Sequence, residues 1–217
     1  MNKKHSFQIQ HLLAVFAISL TLFATPQAHA NDDPAIIVEK TVNALLEEFS
    51  KKRDQLEGNN RDLFELVNRI ASPLFDFDYI SKLVLAKSWK KANARQRQAF
   101  ADEFKRLLIV TYATALFQYT GNETVEFGES DVKEKKGVRF GTVNTAVSIG
   151  EQGSIPVVYS LIQDNRRDDR HQWKIYNLTV GSLNMVLNYR AVIQSLIHRE
   201  GLDGMIAGMK ENNDKNY

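Results

Sequence analysis

Asp76 and Asp78, in the run Phe75-Asp76-Phe77-Asp78-Tyr79, are the nearest approach in this chain to a working pair of carboxylates. A general acid and a general base must face one cleft. Two carboxylates separated by one residue at a helix start diverge, so helix capping is the role that fits. Gly181-Ser182-Leu183 follows a strand pattern and opens a helical one, as a nucleophile elbow does. That elbow needs glycine two residues on each side of the serine, whereas Val180 and Asn184 stand there. Ser182 therefore reads as a helix cap. Cysteine is absent, which excludes thiol chemistry. No glycine-rich phosphate loop, zinc-ligand spacing or dinucleotide fingerprint occurs. No catalytic residue, metal site or cofactor is expected.

Residues 1–30 have the pattern of an export signal. Lys3, Lys4 and His5 form a basic start, Leu12 to Phe23 is almost wholly apolar, and Ala28-His29-Ala30 is a small-x-small cleavage site. Cleavage after Ala30 is expected, leaving 31–217 as a single domain. The apolar run falls short of the roughly 20 residues that span a bilayer, and without cysteine there is no lipoprotein anchor. A free protein outside the inner membrane, the periplasm of a two-membrane cell, is the expectation. The signal holds two of the 28 Lys and Arg residues and none of the 26 Asp and Glu, so the mature chain is neutral. Neutrality removes any overall attraction to nucleic acid. Of five histidines only His171 and His198 outlast cleavage, too few for a histidine-based metal centre.

The elements that must position any site change period at mid-chain. Asp33 caps and Pro34 opens a first helix carrying Val38, Val42, Leu45, Leu46 and Phe49, stopped by Gly58. Asn60 caps a second, with Leu63, Phe64, Leu66, Val67 and Ile70, ended by Pro73. A short helix is predicted from about Asp78 to Ala92, then a long one from Asn93 to Thr120. The long helix is apolar all round from Leu107 to Tyr119, so the second half of the chain is expected to wrap it. Strands are predicted over Thr124–Phe127, Gly137–Ile149, Ile155–Gln163 and Gln172–Val180, separated by short turns that favour an antiparallel meander. Basic clusters at Lys133–Arg139 and Arg166–Arg170 read as solvated hairpin tips, with a docking surface for acidic partners or lipid phosphates as the alternative. A final helix capped by Ser182 runs to Gly201, followed by a short amphipathic piece, Leu202–Met209. The plan is α+β.

Trp173-Lys174-Ile175-Tyr176-Asn177-Leu178-Thr179-Val180-Gly181-Ser182-Leu183, followed by Asn188-Tyr189-Arg190 and Gly201-Leu202, resembles the MlaC, or toluene-tolerance, family. Trp89, Gln96-Arg97, Phe100, Phe104 and Leu107–Tyr119 match that family's long helix, and the likeness extends over about residues 35 to 210. The family usually has an acidic residue at Asn177 and Glu-Gly at Val180-Gly181. The resemblance implies a nuclear-transport-factor-like cone, in which a curved antiparallel sheet of about four strands holds helices on its concave face around an apolar cavity. It implies phospholipid as the bound ligand. It also implies shuttling between an inner-membrane ABC transporter complex and an outer-membrane lipoprotein complex of the Mla system, to maintain outer-membrane lipid asymmetry. A monomer that binds no nucleic acid is expected.

The family supplies no fixed lipid motif, so alternation selects the lining. Val143, Val147, Val157, Tyr159 and Leu161 share one strand parity, while Ile175 and Leu178 offer one side chain from each face of the last strand. The long helix offers Phe104, Leu108, Tyr112 and Leu116, and Phe75, Tyr79 and Leu83 supply a mouth or floor. Each methylene of an acyl chain costs about 0.8 kcal/mol in water, so a carrier has to cover most of the chains and can leave the phosphate solvated. Two other classes remain open: an enzyme on the same fold using Asp76 or His171 beside an apolar pocket, and an adaptor or chaperone with a solid core.

Overall fold

The structure, a computed structural model, describes residues 33–148, 153–164 and 172–216. The signal segment, the Arg166–Arg170 cluster and His171 lie outside the described residues. Helix α1 (Pro34–Leu56) starts as expected, with the Asp33 carboxylate accepting from the Ala35 N–H. Helix α2 spans Asn60–Ile70, and its cap is Asn59 rather than Asn60, accepting from the Asp62 N–H at 3.2 Å. The single helix expected over 78–92 is two, α3 (Phe77–Leu85) and α4 (Lys87–Lys91), because Ala86 adopts a positive φ of 45°. Such a residue cannot continue a right-handed helix.

Asn93 and Gln96 form a reciprocal capping box that opens α5 (Ala94–Tyr112). The α-helix stops at Tyr112 and continues as a 3₁₀ segment, Ala113–Gln118, where an α-helix to Thr120 was predicted. Arg53 of α1 accounts for the stop. Its guanidinium donates to the carbonyls of Phe117 and Tyr119 and lies over the Phe49 ring, so α1 supplies the partners that further α-helical turns would have supplied. The apolar end of this element is also covered differently from the prediction. Ile109, Ala113, Leu116 and Phe117 pack on Phe49, Leu63 and Phe64 of α1 and α2, not within the strands.

The sheet is a five-stranded antiparallel meander in the order β1-β2-β3-β4-β5: Val125–Lys135, Val138–Ser148, Ser154–Asp164, Lys174–Val180 and Leu183–Asn184. Strand β1 runs well beyond Phe127, so Lys133 and Lys135 lie in a strand and the turn is Lys136-Gly137. The two-residue β5 replaces the helix start expected at Ser182. Helix α6 (Met185–Asn216) instead begins behind Asn184, which accepts from the Leu187 N–H at 3.0 Å. It bends at Gly201 (φ 75°), the predicted break, and resumes to Asn216. Its last turns are tied to α5 by Arg106, which bonds both Glu103 and Asp214.

Asn177 joins sheet to helix: its side-chain carbonyl, buried, accepts from the Val186 N–H at 3.1 Å. Asn177→Leu strands that donor and is expected to cost about 1–3 kcal/mol. Asn177→Asp keeps an acceptor at the positive end of α6 and should retain most of the stability. Urea denaturation of the two variants makes the comparison.

Candidate functional site

Pairing register sorts the strand residues into faces. Tyr159 lies opposite Val143 and Leu178, Leu161 opposite Gly141 and Ile175, Val157 opposite Thr145 and Val180, and Ile155 opposite Val147. All of these side chains therefore share one face of the sheet. Ile175 and Leu178, three apart and expected on opposite faces, reach the same face because the register shifts between Ser160 and Leu161, leaving Tyr176 as the extra residue of a bulge.

Burial along this face is graded. Leu161 and Ile175 are fully buried against Val38 of α1, Leu74 and Trp173, while Tyr159 and Leu178 are half-buried. Val157 is half-buried beside Val180, which is 44% exposed, and Ile155 at the strand start is 37% exposed. Leu183 continues the exposed end through its pairing with Val180.

A second gradient runs along α5. Phe104 and Leu108, one turn apart, are buried in a helical core with Ile80, Val84, Val186 and Ile193, and Tyr112 a turn further on is 45% exposed. Phe75 and Leu178 pack against both this core and the sheet core, so the two apolar walls share a floor. Phe75 is fixed there by the sheet edge, forming a bridge to Ile175, whose carbonyl accepts from the Asp76 N–H at 2.9 Å. Leu83 joins the helical core from α3.

Thus Phe75 and Leu178 link the cluster of Leu83, Phe104 and Leu108 to that of Val143, Tyr159, Leu161 and Ile175, and Val147 and Val157 lie on the same face of the sheet as the second cluster. Leu116 does not join them. It follows Tyr112 in the 3₁₀ segment, where each residue turns about 120° rather than about 100°, and it packs against the α1–α2 core instead. Tyr79 also points elsewhere, edge-on to Tyr176 on the far side of the sheet.

On that far side lies a cavity of about 870 Å³ between the sheet residues Val138, Phe140 and Ile162 and the helical residues Tyr79, Trp89 and Arg97. Asp78, Lys82, Gln98 and Asp164 make its lining half polar. Arg97 donates twice to the Trp89 carbonyl and stacks on its ring at 4.8 Å. The sheet residues of this cavity have the strand parity opposite to Val143, Val147, Val157, Tyr159 and Leu161, and Leu183, expected in the final helix, lies in a strand instead.

Asp76 is the N-cap of α3, accepting from the Tyr79 N–H at 2.9 Å, as its position predicted. His198 is exposed near the bend of α6. Burial pushes the phenol of Tyr159 up, with its hydrogen bond to the Thr145 side chain offsetting part of the rise, and burial likewise raises Tyr176 and Tyr189. These phenols are neutral donors at physiological pH. Among the described residues no cluster of His, Asp or Glu could hold a metal ion, and no helix is long and apolar enough to cross a membrane.

The exposed aliphatics at the end of the sheet face could meet an apolar ligand, and known proteins share the fold. The phospholipid-binding protein of Ralstonia solanacearum, solved in complex with a phospholipid, superposes with a TM-score of 0.72 at 24% identity, covering 84% of this chain and 98% of that one. The toluene tolerance protein ttg2D of Pseudomonas putida is 27% identical over 194 residues, 88% of this chain and 82% of its own. The intermembrane phospholipid transport system binding protein MlaC of Haemophilus influenzae is 22% identical over 205 residues, 94% of each chain. Residues 39–211 match the MlaC protein family as a whole, and the chain belongs to that family.

Proposed function

We propose that this protein binds glycerophospholipid by its acyl chains, starting from the graded β3–β4 face, and carries it between membranes. The observation that carries this reading is the continuous burial gradient from Val180 and Ile155 at the rim to Leu161 and Ile175 at the floor. A solid core has no use for a row of aliphatics that leads out into water, whereas a ligand that must be covered along its length does. Membership of the family supports the same ligand. The phosphate stays at the rim in water, since burying it unpaired would cost far more than exposing it.

The shuttle works outside the inner membrane, in the periplasm, after removal of residues 1–30, exchanging cargo with an inner-membrane ABC transporter complex and an outer-membrane complex. It acts as a monomer and without a cofactor. Native mass spectrometry of freshly purified protein, followed by organic extraction, is the test. The expected result is a chain beginning at Asn31 with phospholipid bound; protein that yields no extractable lipid overturns the reading.

A further inference from the structure

The segment from Tyr79 to Ala101 holds six of the chain's 28 basic residues, Lys82, Lys87, Lys90, Lys91, Arg95 and Arg97, and none of its 26 acidic ones. It turns at Ala86 and again at Asn93, and Lys82, Trp89, Ala94 and Arg97 meet around the far-side cavity, so α3, α4 and the start of α5 form one corner. On α4 the inward positions are Ser88, which bonds Gln194 of α6, and Trp89, under the Arg97 guanidinium. Lys87, Lys90 and Lys91, spaced three and four apart, stand exposed on the other side of that helix. The side chains of Lys82, Lys87, Lys90, Lys91 and Arg95 make no ion pair or hydrogen bond among the described residues, whereas Lys51, Lys52, Arg106, Lys210 and Lys215 each have a carboxylate partner. Arg95 also sits at the positive end of α5, whose first turn has no acidic residue. The carboxylates nearby are Asp78 and Asp164 on the cavity wall and Asp203, which accepts from Gln96, and none pairs with these five cations.

We propose that this corner is a docking surface for an anionic phospholipid bilayer. Residues 31–217 are neutral overall, so the uncompensated charge of one corner decides which side of the protein meets a negative surface. The chemistry suits a fluid layer of headgroups better than a folded acidic partner. Four of the five cations without a partner are lysines, compact charges on flexible stems, and no neighbour holds any of them in one geometry. Recognition of fixed carboxylates favours the planar fork of arginine. Phosphodiesters in a bilayer move past one another and need charge, not geometry. Lys82, Trp89 and Arg97 belong to this corner and to the cavity wall alike, so docking sets the cavity beside the bilayer surface.

The test is co-sedimentation of the purified protein with vesicles of phosphatidylcholine alone or of phosphatidylcholine mixed with phosphatidylglycerol. Wild type is expected on the mixed vesicles only, at about 0.05 M salt and not at about 0.5 M, where screening is nearly complete within about 5 Å. Each lysine near an anionic surface is worth about fivefold in partitioning. Lys87→Gln/Lys90→Gln/Lys91→Gln is therefore expected to weaken binding about 100-fold, with an unchanged circular dichroism spectrum because all three side chains are exposed. Lys40→Gln/Lys51→Gln/Lys215→Gln removes the same charge from exposed positions outside the corner and should keep most of the binding. A wild type that ignores the mixed vesicles or binds both kinds equally overturns the proposal, as does a Lys87/Lys90/Lys91 variant that binds like wild type. A wild type that ignores vesicles yet binds polyglutamate assigns the corner to an acidic protein instead. Lipid extracted from the three proteins is expected to be the same, so the result is read independently of the cargo.

Discussion

Trp173→Ala lowers stability by about 3–5 kcal/mol, which for a domain of this size moves the melting midpoint down by about 6–20 °C. Trp173 is buried where α1 meets the sheet, in one core with Val38, Leu161 and Ile175. Gly141 on β2 shows how close the packing is, since a Cβ there would stand 3.0 Å from Pro34 Cγ and 3.2 Å from Trp173 Cζ3. Arg139 lies over the indole at 5.0 Å. Truncating the indole thus leaves a hole walled by α1, β2 and β4. Gly141→Ala in the wild type overpacks the same place and costs about 1–3 kcal/mol. In the Trp173→Ala background the added methyl enters the hole, so the double variant loses less than the two single losses together. Differential scanning calorimetry of the three variants checks both claims; additive losses would mean that the indole and Gly141 do not share a wall.

The second large effect falls on the ligand and leaves the fold alone. Val157→Glu with Val180→Glu is expected to give folded protein that purifies empty and binds phospholipid at least about 100-fold more weakly. The two valines are cross-strand neighbours on the graded face, Val180 exposed and Val157 half-buried, so both new carboxylates reach water in the free protein. An acyl chain laid over them has to strip that water, at several kcal/mol per ion, and each 1.4 kcal/mol is a tenfold loss of affinity. Val192→Glu is the control, an equally exposed aliphatic on α6 that belongs to neither wall. It should keep its lipid. Extraction from the variants, read beside their circular dichroism, separates lost binding from lost fold, and a double variant that still carries lipid would move the acyl chains off this face.

Much of the fold was legible because local chemistry and the final structure agree. Asp33 with Pro34, the Asn93–Gln96 box and Asp76 each satisfy backbone donors within a few residues, and such caps need nothing from the rest of the chain. The alternation that put Val143, Val147, Val157, Tyr159 and Leu161 on one face held because β2 and β3 pair without interruption. The pairing of Ile175 with Leu178 was not legible. The bulge at Tyr176 changes parity in the middle of β4, and nothing in Ile-Tyr-Asn-Leu announces it. Leu116 went astray for a similar reason: its helix changes pitch when Arg53, more than 60 residues away in sequence, takes the carbonyls of Phe117 and Tyr119.

From the sequence alone came the α+β plan, the meander, the empty search for catalytic motifs, and an excess of apolar residues on one strand parity and one helix stripe. Tertiary structure decided which of those residues face each other. It set Phe75 and Leu178 as a floor common to two walls, sent Leu116 and Tyr79 elsewhere, and opened the half-polar cavity on the opposite face of the sheet. Periodicity assigns a side chain to one side of its own element and stops there. What lies across from it depends on bulges, helix pitch and long-range hydrogen bonds, whose partners meet only once the chain has packed.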